Sequence, residues 1–198
     1  MSETFSVLSG LVMVAVVFIY FSQVVGNAST PNPSTWVTCF GVMAMNTVTY
    51  YFVSQHSIRQ IMTPLIITCG MMIILAFSLV KGKFGRIGSV DILIFLLSVF
   101  VGILWKITED PVVSNLFMQA ILLLSFVPTV VGLWKGRLRE KSLSWNLAVL
   151  SYCFLIASIL SSPGWNWVQL AFPFVNGVIG NGSVALTIFL IRKEKDSS

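Results

Sequence analysis

The chain has 198 residues, of which 56% are hydrophobic and 10% charged, and its mean hydropathy is +0.90. Soluble domains carry about 25% charged residues and disordered chains need low hydrophobicity, so both classes are excluded. The net charge of +5 comes from cations in short loops, where they orient a membrane chain rather than mark a nucleic-acid partner, and the composition leaves no separate catalytic domain.

Apolar runs predict seven spans, at 5–25, 35–54, 61–80, 88–105, 112–134, 143–160 and 165–191. At about 1.5 Å of rise per residue, each can cross a hydrocarbon core of about 30 Å. The runs are continuously apolar rather than alternating, which excludes a membrane β-barrel. The first run lacks a basic segment before it and is long enough to span, so it reads as a helix and not as a cleavable signal. The last run is the longest, and Pro173 with Gly177, Gly180 and Gly182 predicts a bend in it. Cys39, Cys69 and Cys153 all fall inside apolar runs. Their odd number and spacing suit neither a disulfide framework nor a metal site, and they read as small packing residues.

The loops give an orientation. One side holds Lys81, Lys83, Arg86, Lys135, Arg137, Arg139, Lys141, Arg192, Lys193 and Lys195, while the other holds Arg59 and Lys106. Ten cations against two place the N-terminus outside and the C-terminus in the cytoplasm, in a plasma (inner) membrane.

The chain also repeats itself. An offset of 109 residues lays Ser34-Thr35-Trp36 over Leu143-Ser144-Trp145, both opening a span, and Pro64 over Pro173. Ahead of the tryptophans, Tyr20-Phe21-Ser22-Gln23-Val24-Val25 parallels Phe126-Val127-Pro128-Thr129-Val130-Val131. The predicted fold class is therefore an all-α integral membrane protein of seven helices arranged 3+1+3. Residues 1–80 form the first three-helix repeat, 81–110 a linker loop and fourth helix, and 111–198 the second repeat with its tail. Both repeats start on the outside, so they are parallel.

The stretch from Phe126 to Trp134, the basic loop after it and Lys141-Ser142-Leu143-Ser144 resemble the PQ-loop pattern. That pattern has a proline–glutamine pair near the cytoplasmic end of a span, then a basic loop, then a Lys-Ser-x-x-x-Leu-Ser opening of the next helix. Here Thr129 stands for the glutamine, and Ser22-Gln23 stands in the first half. SWEET sugar transporters, nicotinamide riboside type transporters and the KDEL receptor share this architecture. Pro64, Pro128, Pro173 and Gln23 are the candidate hinge or gate residues. The repeat-equivalent Trp36 and Trp145 read as interfacial belt residues or as a symmetric gate. SWEET-like proteins place an asparagine in the third helix of each half. Asn176 fits that role, while its counterpart in the first half is Ile67.

Polar residues inside spans are the candidate site, since buried polar groups cost energy unless paired. Asn46 lies in the second span, Asn115 and Gln119 share one face of the fifth, and Asn176 lies in the seventh. Tyr50 and Tyr152 add hydroxyls. Amides and rings without charge suit a neutral polar solute such as a sugar, nucleoside or vitamin precursor. The competing reading is that the amides tie helices together, at about 0.6 kcal/mol per bond. Asp91 is the candidate for proton coupling, with a plain role near a helix N-terminus as the other reading.

The expected function is a transporter or facilitator working by alternating access; the alternative is a non-transporting receptor or sorting protein of the same architecture. A retinal protein is excluded because residues 165–191 contain no lysine for a Schiff base. No paired carboxylates, nucleophile–base pair or metal cluster falls at membrane depth, so neither an enzyme nor a cofactor is expected. Expected partners are membrane lipid, a small-molecule solute and, as an option, further copies of the chain in a homo-oligomer.

Overall fold

The computed structural model describes residues 1–31, 33–81 and 89–197. It is all-helical, and no strand occurs among the described residues. Helices α1 (Ser2–Val25), α2 (Pro33–Val53), α3 (Ile58–Val80) and α4 (Ser89–Thr108) come first. Then come α5 (Pro111–Ser125), α6 (Val127–Trp134) and α7 (Ser142–Leu160). The chain closes with α8 (Trp167–Phe172), a π-helical stretch (Pro173–Gly180) and α9 (Asn181–Ser197), which run on without a loop.

Local chemistry sets the starts. The Asp110 carboxylate accepts from the Val112 and Val113 N–H groups at 2.8 and 3.2 Å, with Pro111 opening α5. Asn166 and Gln169 form a capping box before α8. Each device satisfies N–H groups that the first helical turn leaves without partners.

Five helical stretches are long and apolar enough to cross a membrane: Ser2–Val25, Ile58–Val80, Pro111–Trp134, Ser142–Leu160 and Trp167–Glu194. Shorter apolar stretches, Cys39–Val53 and Val99–Thr108, lie in α2 and α4. The predicted fifth span is broken at Phe126, between α5 and α6, just ahead of Pro128, whose ring nitrogen cannot continue the hydrogen-bond ladder. The last span, where the sequence predicts a bend, carries a π-helical stretch opened by Pro173.

On α1 the buried residues Ser6, Ser9, Met13, Val16, Tyr20 and Val24 recur every three or four positions, which is one helix face. Leu11 and Phe18 on the other side are 63% and 73% exposed, as a lipid-facing surface requires. Cys69 and Cys153 are exposed rather than packed inside, and Cys39 is half-buried.

Helix adjacency follows a pattern. α1 packs on α7 and α3, α2 on α5 and α3, and α7 on the π stretch and α9. The core between them is built on Met13, Val42, Tyr50, Met118, Leu155 and Phe172. Ser2 and Ser158 meet at one end of the bundle, and Thr30 and Arg139 at the other. These are called the Ser2 end and the basic end below. Arg192 lies by Ser142, at the basic end.

Candidate functional site

Four of the expected amides meet at mid-depth in one chain of hydrogen bonds. Asn46, Asn115, Gln119 and Asn176 are all buried. Asn115 Nδ2 donates to Asn46 Oδ1 at 3.1 Å and to Thr49 Oγ1 at 3.0 Å. Gln119 Nε2 donates to Asn46 Oδ1 at 2.6 Å and to Asn115 Oδ1 at 3.0 Å. Asn176 Nδ2 donates to Gln119 Oε1, which carries the chain from α2 through α5 to the π stretch. Asn46, Asn115 and Gln119 thus spend their amides largely on one another. Asn176 differs: its Oδ1 is buried and has no hydrogen-bond partner.

That oxygen belongs to a side chain lining a cavity of about 80 Å³. Met13, Met43, Met71 and Tyr152 line it near Asn176, with Ser125 and Asn181 adding polar groups. Asn46, Asn115, Gln119 and Tyr50 do not line it. Tyr50 instead donates its hydroxyl to the Gln169 carbonyl at 2.8 Å. Gln169 is four residues before Pro173, so this is the carbonyl that the proline leaves without its helical N–H. Gly177 lies against the Tyr152 ring so closely that a Cβ there would collide with it, which fixes the π stretch against α7.

The cavity runs toward the basic end, where aromatic rings form its floor. Tyr20 stacks on Trp36 with centroids 5.0 Å apart and meets Trp145 edge-on at 6.0 Å. Phe126 meets Trp145 at 6.3 Å. Beneath them lies Glu140, a residue the sequence reading passed over. Tyr20 donates its hydroxyl to Glu140 Oε1 at 3.0 Å, and Trp145 Nε1 donates to Oε2 at 3.4 Å. Burial pushes the Glu140 carboxyl up to about 7, while hydrogen bonds from Tyr20, Ser29 and Trp145 pull it down. The available signal was a single acid, Arg139-Glu140-Lys141, set in an otherwise basic loop just ahead of a helix.

The remaining expected residues divide. Gln23 Oε1 accepts from Ser29 and Ser144, each at 3.3 Å, which ties the 26–31 loop and the start of α7 to the end of α1. Pro64 is buried within α3, and its carbonyl accepts from Thr68 Oγ1 at 2.7 Å. Pro128 sits at the start of α6 and Pro173 at the start of the π stretch. Asp91 lies on α4, but its side chain, like Lys83 and Arg86, falls outside the described residues. Among the described residues, no three His, Cys, Asp or Glu side chains gather as metal ligands would.

The arrangement is a cavity lined by Asn176 and by aromatic rings toward the basic end, with no charged side chain among its described lining residues. Comparison of the chain with protein-family models, with curated proteins and with solved structures gives no match.

Proposed function

We propose that the chain is a membrane transporter or facilitator for a small neutral polar metabolite, of the sugar, nucleoside or vitamin-precursor class, working by alternating access between two three-helix groups. The observation that carries this is Asn176, a residue that lines an apolar cavity and whose buried Oδ1 has no hydrogen-bond partner. A buried polar atom left unpaired costs about 1–3 kcal/mol, and a solute N–H or O–H would recover it. The cavity, at about 80 Å³, is smaller than the ~300–1,000 Å³ of common ligand pockets, so a solute of this class requires the floor to part.

The 3+1+3 reading draws support from helix adjacency. The first helix of each half packs on the second helix of the other: α1 on α7, and α5 on α2. The Thr30 N–H donates to the Arg139 carbonyl at 2.9 Å, and these residues are 109 apart, the offset of the repeat. Equivalent positions touch only close to the axis that relates two copies. The crowding of Lys135, Arg137, Arg139, Lys141 and Arg192 toward one end supports an outside N-terminus and a cytoplasmic basic end.

The test is thermal stability of the detergent-purified protein against a panel of sugars, nucleosides and vitamin precursors, run on wild type and Asn176→Ala. A ligand at a hundred times its Kd adds about 2.7 kcal/mol of stability. A hit that stabilises wild type and is lost in Asn176→Ala is expected. A hit that stabilises both equally removes Asn176 from the site, and silence across the panel moves the reading to a receptor.

A further inference from the structure

The floor of the cavity is asymmetric in a specific way. On the repeat reading, Tyr20 corresponds to Phe126 and Glu140 to Pro31. The ring pairs Tyr20–Trp36 and Phe126–Trp145 are thus equivalent, and both are present. Of the two equivalent pairs, Tyr20–Glu140 and Phe126–Pro31, only the first carries a hydroxyl and a carboxyl, and these are bonded to each other. Two departures from symmetry that meet in one hydrogen bond point to a function for that bond beyond packing.

We propose that Glu140 is a proton-binding site that controls access to the cavity from the basic end, by clasping Tyr20 of α1 to Trp145 of α7. Its two oxygens accept from one donor on each helix, so the clasp spans the line along which the floor would part. When the floor opens, Glu140 becomes hydrated and loses its proton to water. When it closes, the carboxyl is withdrawn from water and takes a proton up. The proton comes from and returns to the solvent at the basic end, and no other reactant is needed.

The groups around Glu140 allow this. From α1 it faces the Tyr20 hydroxyl, from α7 the Trp145 ring nitrogen, and from the 26–31 loop Ser29. Its chain neighbours Arg139 and Lys141 are exposed, and among the described residues neither lies within ion-pair distance of it. With no cation paired to it among the described residues, burial dominates and favours the neutral acid. The sign follows. The carboxyl is raised to about 7 when closed, against an ordinary 4.5 when hydrated, so the closed floor is most stable below about 4.5 and loosens as pH rises through about 7.

This inference rests on reading the cavity as the solute path, but its test needs no solute and so fails separately. Cys39 lines the cavity. In a Cys69→Ala/Cys153→Ala background, the rate of maleimide labelling of Cys39 is measured from pH 5.5 to 8. It is divided by the rate in the same background with Glu140→Gln, which mimics the protonated acid and cancels the thiol's own titration. Between those limits the ratio should rise on the order of thirtyfold, given about 7 closed and 4.5 open. A ratio that is flat, or that rises toward acid, overturns the proposal. Tyr20→Phe supplies an independent reading should Glu140→Gln fail to fold. It removes a hydrogen bond to the charged form, so the midpoint must move to higher pH; a midpoint left at the wild-type value also overturns the proposal.

Discussion

The two ends of the bundle are held together by different chemistry. At the Ser2 end, helix meets helix through small hydroxyl residues. Ser2 Oγ donates to the Ser158 carbonyl at 2.9 Å, Ser158 Oγ returns to the Ser2 carbonyl at 2.8 Å, and Ser6 Oγ donates to the Arg59 carbonyl at 2.7 Å. Deeper, Ser151 Oγ donates to the Ser9 carbonyl at 2.8 Å, and Ser9 and Thr63 share a bond of 2.6 Å. Small residues let the backbones approach, and each such bond in a membrane protein contributes about 0.6 kcal/mol. At the basic end, bulky rings border a cavity, and the Glu140 carboxyl joins Tyr20 of α1 to Trp145 of α7, beside the loop contacts Thr30–Arg139 and Gln23–Ser144. A seam of many small contacts resists opening along its whole length. Under the proposal, the ring floor opens when the titratable group that joins Tyr20 to Trp145 changes state. On the proposed reading, the Ser2 end holds and the basic end moves, with the amide chain as the pivot.

The largest expected effect lies at the pivot. Gly177→Leu drives a side chain into the Tyr152 ring, and overpacking of this kind costs about 3 kcal/mol, read as a lower Tm in detergent. Next comes Gln119→Ala. It leaves the Asn176 Nδ2 group without its acceptor, and an unpaired buried donor costs about 2 kcal/mol. A wild-type Tm for this variant would show that the amides do not join the halves. Ser158→Ala, at the Ser2 end, should cost only about 0.6 kcal/mol, since its neighbours keep the seam closed. It should leave Cys39 labelling unchanged. Smallest in stability is Tyr20→Phe, which keeps the stacked rings; its signature is the altered pH dependence of access, not Tm. Were Ser158→Ala to open the cavity and Tyr20→Phe to leave access untouched, the roles of the two ends would be reversed.

Much of this was legible in the sequence. Apolar runs located the helices because a bilayer imposes length and composition on a span, and Pro173 with its glycines marked the place of the π-helical stretch. The amides within spans were also legible, because they are few and each must find a partner. Which partner each finds was not. Asn46, Asn115 and Gln119 satisfy one another, whereas Asn176 keeps a free oxygen, and only the packing of three helices decides that. Tyr50 read as a candidate for solute contact, yet its hydroxyl answers the carbonyl freed by Pro173, 119 residues away in sequence. Glu140 was missed for a related reason. A loop acid among cations reads as solvated, and its half-buried place depends on Tyr20 of a distant helix.

The most direct test of the difference between the ends is to lock each one in turn and measure maleimide labelling of Cys39 in the Cys69→Ala/Cys153→Ala background. Thr30→Cys with Arg139→Cys would bridge the basic end, and Ser2→Cys with Ser162→Cys the Ser2 end, where the two hydroxyls lie 2.6 Å apart. The basic-end disulfide should slow labelling until it is reduced, while the Ser2-end disulfide should leave the unlocked rate unchanged. Protection by the Ser2-end lock alone, or no labelling in any form of the protein, would contradict the assignment of movement to the basic end.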